Sequence, residues 1–332
     1  MHPPATIIAE VGSVHDGSFG NALKLIALAK ECGAQTVKFQ THLAEAETLP
    51  DAPMPPYFQG EPRFAYFKRT AFPFSQWKEL KQHCESIGIE FMSSPFSIEA
   101  MELLENIGME RYKVPSGELT NIPLLERIAA TKKPVLLSSG MSSWEELDQA
   151  VATIRRVHSE ITVLQCTSEY PCPPEHVGLN VITEMSERYK LPVGFSDHSL
   201  TNEAAFVAVS LGATVIEKHL TFSRKMYGSD APHSLEPAEF AELVRGVRSL
   251  EKILGSPMDK SDLSRFRDMK RIFEKSVASL VAIPEGTLLT EKEVGCRKPG
   301  GGIPASRFRE ILGKKATRAV PALQLLSEQD FA

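Results

Sequence analysis

What this 332-residue chain lacks narrows it first. No stretch of about 18 consecutive apolar residues occurs, so no transmembrane helix is expected. The start, Met1-His2-Pro3-Pro4, has neither a basic n-region nor an apolar run, and the expectation is a cytoplasmic protein without a signal peptide. The five cysteines, Cys32, Cys84, Cys166, Cys172 and Cys296, are odd in number and never spaced Cys-x-x-Cys. That argues against a disulfide framework or a structural zinc site and for reduced thiols. Charge of neither sign dominates: 37 basic against 42 acidic residues leave a net charge of -5, without the basic excess of a nucleic-acid binder. Low-complexity tracts are absent, and 42% hydrophobic with 24% charged residues suit a globular chain rather than a disordered one.

What is present is an alternation. Short β-branched runs are separated by amphipathic segments of about ten residues or more, the signature of βα units on a parallel sheet. Strands are predicted at 6–12, 36–42, 90–96, 111–117, 134–140, 161–168, 192–199 and 214–221, and helical spacing covers segments such as 21–33, 75–88, 98–108, 143–157, 202–212 and 237–254. Eight such repeats within about 250 residues predict a closed (β/α)8 TIM barrel rather than an open doubly wound sheet. The interval 43–74 is rich in proline and aromatics, among them Pro53, Pro55, Pro56, Tyr57, Phe58, Tyr66 and Phe67. It reads either as a lid or substrate wall after the second strand or as a tolerated surface insertion. The expected division is a barrel domain at 1–255, a polar linker at 256–275 and a small, mostly β domain at 276–332, whose one helix of note is at 306–312. At about 55 residues that last domain is expected to dock on something.

Active sites of such barrels lie at the C-terminal strand ends. Polar residues are dense there: Glu10; Lys38 and Gln40; Ser93 and Ser94; Lys113, Ser116 and Glu118; Ser138 and Ser139; Gln165, Thr167 and Ser168; Ser196, Asp197 and His198; Glu217, Lys218 and His219. Lys38 and Lys113, on the second and fourth strands, form a candidate cradle for a phosphorylated or carboxylated substrate. His198 and His219, ending neighbouring strands, are either structural or a pair that shares a divalent metal with coordination positions left open. His15-Asp16-Gly17 either caps the next helix or touches substrate. Gly300-Gly301-Gly302 lacks the strand and helix context of a nucleotide-binding loop.

Nine blocks in register resemble the sialic acid synthase family over nearly the whole chain: Ile7-Ile-Ala-Glu-Val-Gly12, Val37-Lys-Phe-Gln-Thr41, Ser93-Ser-Pro-Phe96, Lys113-Val-Pro-Ser-Gly-Glu118, Leu137-Ser-Ser-Gly-Met141, Cys166-Thr-Ser-Glu-Tyr-Pro171, Gly194-Phe-Ser-Asp-His198, Ile216-Glu-Lys-His219 and Ser234-Leu-Glu-Pro237. The C-terminal stretch resembles the antifreeze-like (SAF) domain of those enzymes. The resemblance implies condensation of phosphoenolpyruvate with an N-acylated hexosamine and water, giving a nonulosonic acid of the N-acetylneuraminate or legionaminate type and phosphate. It implies a divalent ion, Mn²⁺ with Mg²⁺ or Co²⁺ as alternatives, on His198 and His219, and a domain-swapped homodimer with neither nucleic acid nor membrane as partner.

The same resemblance assigns phosphoenolpyruvate to Lys38, Ser94, Lys113, Ser116, Ser168 and Ser196. It assigns the sugar to Gln40, Glu118, Tyr170, Asp230 and Lys298, and catalysis to Glu10, Glu118 and His219. Three positions depart from the family. Ser168 stands where some members have Asn, Val14-His15-Asp16-Gly17 replaces Asn-His-Asn-Gly, and Lys298 replaces an Arg that reaches the acyl group across the dimer, which a lysine cannot match as a bidentate donor. Pseudaminate synthesis and sialic acid 9-phosphate synthesis remain open, the latter with Arg224 and Lys225 as a basic cluster. A Schiff-base pyruvate aldolase on Lys38 or Lys113 is the alternative of another class.

Overall fold

The computed structural model describes residues 4–56, 58 and 60–332, so Tyr57 of the aromatic interval lies outside the described residues. The chain forms two compact units, residues 1–256 and 257–332.

The first unit is a parallel eight-stranded barrel. Its strands are β1 (Thr6–Gly12), β2 (Thr36–Thr41), β3 (Glu90–Pro95), β4 (Tyr112–Val114), β5 (Val135–Ser138), β6 (Ile161–Cys166), β7 (Val193–Asp197) and β8 (Val215–His219). They hydrogen-bond in the order β3-β2-β1-β8-β7-β6-β5-β4, and β3 lies against β4 at the remaining seam. Helices connect them and cover the outside. Ser18, Ser97, Asn121 and Ser143 cap four of these helices with their side chains, as short oxygen-bearing residues do before an apolar period. β4 is shorter than the predicted 111–117. Pro115 offers no amide hydrogen to extend the ladder, and Ser116–Glu118 turns into a 3-10 helix.

Side chains on a strand alternate between two environments, and here the parity decides everything that follows. On β1, Ile7, Ala9 and Val11 join the large core shared with the helices. Ile8 faces the other way and meets Met92, Leu136, Leu164 and Val215 from β3, β5, β6 and β8 in a separate apolar cluster inside the barrel. A step of two residues along each of these strands reaches Glu10, Ser94, Ser138, Cys166 and Glu217, all buried. The barrel interior therefore passes from an apolar floor to a polar layer within one pleat.

The interval 43–74 is partly helical, with short helices at Ala44–Glu47 and Arg63–Thr70. Among the described residues no helix is long and apolar enough to cross a membrane, and no two cysteines are bonded.

The second unit holds a helix, Arg267–Phe273, inside the interval expected to be a linker. Beyond it β9 (Ser276–Ser279) pairs antiparallel with β10 (Val294–Arg297), and the predicted helix at 306–312 is a 3-10 turn, Ala305–Arg307, running into Phe308–Ile311. Val277, Ile283, Leu289, Val294, Ile303 and Ile311 form its own core.

Candidate active site

Every residue that the family resemblance assigned to the site, except Glu118 and Lys298, lines one cavity of about 330 Å³ at the C-terminal ends of the strands, whereas Ser93, Ser139, Gln165, Thr167, Asp197 and Lys218 do not line it. Its base is a four-membered charge cluster. Lys38 Nζ lies 2.6 Å from Glu10 Oε2 and 3.7 Å from Glu217 Oε1, and Lys113 Nζ lies 2.5 Å from that same Glu217 oxygen. Ser196 Oγ donates to Glu217 Oε1 at 3.0 Å, and Lys38 Nζ donates to Ser94 Oγ at 3.3 Å. All four charged side chains are within 6% of full burial.

Taking such charges out of water is costly unless each finds its opposite. Burial pushes the Glu10 carboxyl up to about 7, with Lys38 opposing and Glu217 reinforcing. Burial acts on Glu217 in the same sense, but the Lys113 and Lys38 ammoniums outweigh it and hold that carboxyl down at about 2. Two adjacent carboxylates thus differ in proton affinity because one has two cations and the other shares one. A carboxyl poised near neutrality can accept and return a proton.

Above the cluster, Gln40 Nε2 donates to Glu10 Oε1 at 2.7 Å, which turns the Gln40 carbonyl toward His42 Nε2 at 3.1 Å. Asp230 is fixed by the Ser13 backbone amide, which donates to Oδ2 at 2.7 Å. Gly12 makes room for it: a Cβ there would lie 2.2 Å from Asp230 Oδ2, and the backbone has φ +53°. At the end of β5, Gly140 plays the same part for the serines, since a Cβ would come within 2.4 Å of Ser168 Oγ and 2.6 Å of Ser116 Oγ.

His198 and His219 come together as the sequence suggested, with ring centroids 5.8 Å apart. His198 Nδ1 donates to the Thr167 carbonyl at 2.6 Å, and Nε2 lies 3.0 Å from the Tyr170 hydroxyl. Burial lowers this imidazole, but the Cys166 sulfur and the Thr167 carbonyl outweigh it and raise it above its ordinary value. His219 Nδ1 is buried with no hydrogen-bond partner, and burial pushes this imidazole down to about 3, so it is neutral. A neutral imidazole with an unpartnered buried nitrogen, beside a second ring whose far nitrogen is anchored, is a donor set that suits a divalent ion. Among the described residues no group of three or more His, Cys, Asp or Glu side chains is disposed to hold one. An ion here would complete its coordination with water or substrate oxygens.

Several expectations require correction or relocation. Glu118 is not among the residues that line the cavity, but it follows three that do, and its carboxyl, raised by burial, is close enough to the lining residues His42 and Arg63 to interact with both. It sits at the end of the 3-10 turn, half-buried, with Oε2 accepting from Asn121 Nδ2 at 2.7 Å. Arg224 is spent on the helix start at Pro237, its guanidinium donating to both Glu239 oxygens and to the Ser234 carbonyl, and neither it nor Lys225 reaches the cavity. His15 neither caps a helix nor faces the cavity: it is buried against Phe72, its Nδ1 accepts from the Gly17 amide, and Ser18 supplies the cap. Asp197 and Lys218 pair at 2.6 Å on the outward face of β7 and β8. Lys298 belongs to the second unit, where its ammonium lies 5.0 Å from the Phe273 ring centre.

The sequence reading missed Glu217 as the counter-ion of both lysines, and it missed His42 and Arg63 altogether. Parity would have found His42, which continues the series Lys38, Gln40 on one face of β2. No period marks Arg63, which lies in the irregular interval.

A model of the NeuB family matches residues 25–259, and a SAF domain model matches residues 274–332. The chain is 35% identical to an N,N'-diacetyllegionaminic acid synthase of Campylobacter jejuni over 97% of its own length and 98% of that protein's. It is 36% identical to the Homo sapiens N-acetylneuraminate-9-phosphate synthase, covering 98% of this chain and 92% of the relative. A crystal structure of an N-acetylneuraminic acid (sialic acid) synthetase from Leptospira borgpetersenii, in complex with citrate, superposes with a TM-score of 0.71 at 33% identity, covering 81% of this chain and 91% of that one.

Proposed function

The chain belongs to the NeuB family of sialic-acid-type synthases, and on that premise we propose that it condenses phosphoenolpyruvate with an unphosphorylated N-acylated hexosamine to give a nonulosonic acid and inorganic phosphate. The observation that carries this reading is the buried cluster of Glu10, Lys38, Lys113 and Glu217 beneath His198 and His219. Two ammoniums with serine hydroxyls suit the phosphate and carboxylate of phosphoenolpyruvate, while Gln40 and Asp230 suit sugar hydroxyls.

In the proposed reaction C3 of phosphoenolpyruvate attacks the aldehyde carbon of the open-chain sugar, and positive charge develops at C2. Water adds at C2 and phosphate leaves with cleavage of its C–O bond. Lys38 and Lys113 hold the anionic substrate and then the departing phosphate. Glu10, ionised in part near neutrality, stabilises charge at C2 and takes the proton of the added water. His198 and His219 would hold a divalent ion, which when bound supplies Lewis-acid polarisation of the aldehyde oxygen. The aldolase alternative needs a lysine presented as a free amine. Burial opposes the charge on Lys38, but Glu10 and Glu217 outweigh it and raise that lysine. Burial lowers Lys113 despite Glu217 at 2.5 Å, so Lys113 is the lysine at which borohydride trapping tests that alternative. On the same reading the C-terminal domain serves the barrel of a second copy, and a fully active monomer in sedimentation overturns that part.

The test is phosphate release from phosphoenolpyruvate by chelated and then Mn²⁺-restored protein, offered N-acetylmannosamine, its 6-phosphate and 2,4-diacetamido-trideoxy hexoses in parallel. Metal-dependent release with an unphosphorylated acyl sugar supports the reading. No release by folded protein, or borohydride trapping of a pyruvate adduct, overturns it.

A further inference from the structure

Six groups with formal charge line the cavity: Glu10, Glu217 and Asp230 against Lys38, Lys113 and Arg63. Both lysines are matched to carboxylates at the base. Arg63 is different. It is half-buried on the short helix Arg63–Thr70, and its guanidinium forms no close ion pair among the described residues, though it lies near enough to Glu118 to favour that carboxylate's charged form.

Its position is built rather than incidental. The Arg63 guanidinium carbon lies 5.3 Å from the ring centre of Phe67, one helical turn on. Phe67 stacks on His42 with centroids 3.8 Å apart and planes 5° from parallel, and Phe96 stacks on the other face of His42 at 4.1 Å. His42 is held in turn by Glu47, 2.9 Å from Nδ1, and by the Gln40 carbonyl. A column of four planar groups thus runs from the ends of β2 and β3 to a guanidinium at the cavity mouth. Beside it the wall is apolar, with Met54 and Phe58 lining the same space.

We propose that Arg63 is a specificity-determining residue of the sugar subsite, donating hydrogen bonds to the carbonyl oxygen of an uncharged acylamido group whose methyl packs against Met54, Phe58 and Phe67. This rests on the synthase reading above. A planar fork of N–H donors beside an apolar wall matches an amide's carbonyl and methyl together. A second phosphate on the sugar would meet this single cation amid apolar side chains and Asp230, since Arg224 and Lys225 are elsewhere. The site therefore selects an unphosphorylated sugar, and it reads the acyl group from within one chain, whatever Lys298 contributes.

The experiment compares wild type, Arg63→Met and Arg63→Lys with phosphoenolpyruvate and each of N-acetylmannosamine, mannose and N-acetylmannosamine 6-phosphate, with thermal midpoints recorded. Arg63→Met is expected to lose the preference for N-acetylmannosamine over mannose by about 10- to 100-fold through the sugar KM. The phosphoenolpyruvate KM and the thermal midpoint stay near wild type, and Arg63→Lys does not restore the preference. An unchanged acyl preference in Arg63→Met overturns the proposal, as does a loss confined to the 6-phosphate. Should wild type release no phosphate with any sugar, the synthase reading fails separately. Calorimetric binding of N-acetylmannosamine to wild type and Arg63→Met then decides the role of Arg63, equal affinities overturning it.

Discussion

Lys113 Nζ and Glu217 Oε1, on β4 and β8, meet at 2.5 Å across the barrel interior, and the same oxygen accepts from Ser196 and faces Lys38. Neither strand is the other's neighbour in the sheet. The contact is therefore one the barrel makes, and it ties together the two lysines that the proposed anion site depends on.

Replacing Glu217 by Gln leaves two buried ammoniums sharing Glu10. Breaking one partner of a buried charge set typically costs about 3–5 kcal/mol. Urea unfolding at neutral pH is expected to show a loss of that order, with Glu217→Asp intermediate. A Glu217→Gln protein as stable as wild type would mean that the lysines relax to water.

Gly12→Ala sets a methyl group against the Asp230 carboxylate at a backbone φ of +53°. Strain of about 1–2 kcal/mol is expected from the backbone alone. Because Asp230 and nearby Gln40 are the residues proposed to meet the sugar, the sugar KM is expected to rise at least about tenfold while the phosphoenolpyruvate KM holds. Equal changes in both constants would point to a general collapse of the site.

His15 supplies a pH dependence away from the chemistry. Burial pushes its imidazole from 6.5 down to about 4, with Asp230 opposing and His42 reinforcing. The unfolded chain then binds a proton that the folded chain refuses, so stability rises with pH between about 4 and 6.5 and falls as pH drops through that window. The shift corresponds to about 3 kcal/mol at most. Denaturant midpoints of wild type and His15→Phe, followed from pH 7 to pH 4, should diverge in slope, wild type falling more steeply. Parallel slopes would show that His15 takes up its proton without unfolding.

Chelation followed by dialysis is expected to abolish phosphate release and to leave secondary structure intact, because the barrel core is independent of the two histidines. Mn²⁺ restores activity to wild type. His219→Ala, in contrast, should neither regain activity nor show the rise in thermal midpoint that Mn²⁺ gives wild type. A midpoint rise retained by His219→Ala would place the ion elsewhere.

Much of this site was legible because strands have a period of two. Glu10, Lys38 with Gln40, Ser196 with His198, and Glu217 with His219 share a parity on their strands, and Ala9, Phe39, Phe195 and Ile216, at alternate positions, mark the outer face. The same parity, applied strictly, removes Asp197 and Lys218 from the mouth and adds His42. What sequence reading could not reach depends on distance across the barrel or on irregular chain. Which lysine meets Glu217 is set by the closure of eight strands, not by neighbours along one. Arg224 looked available because Ser234 and Glu239, 10 and 15 residues on, capture it only once the loop has folded back. Arg63 sits where no period applies, and its place follows from the stack on Phe67 and His42.

The layer of Ile8, Met92, Leu136, Leu164 and Val215 seals the barrel below the charged residues. The cavity is thus a blind cup, and everything that enters or leaves shares one doorway. In the proposed reaction a ligand held on Lys38 and Lys113 sits deepest, so it is expected to arrive before the sugar, and its phosphate to depart after the larger product has cleared the mouth. Steady-state kinetics should accordingly be ordered, with phosphate competing against phosphoenolpyruvate and not against the sugar.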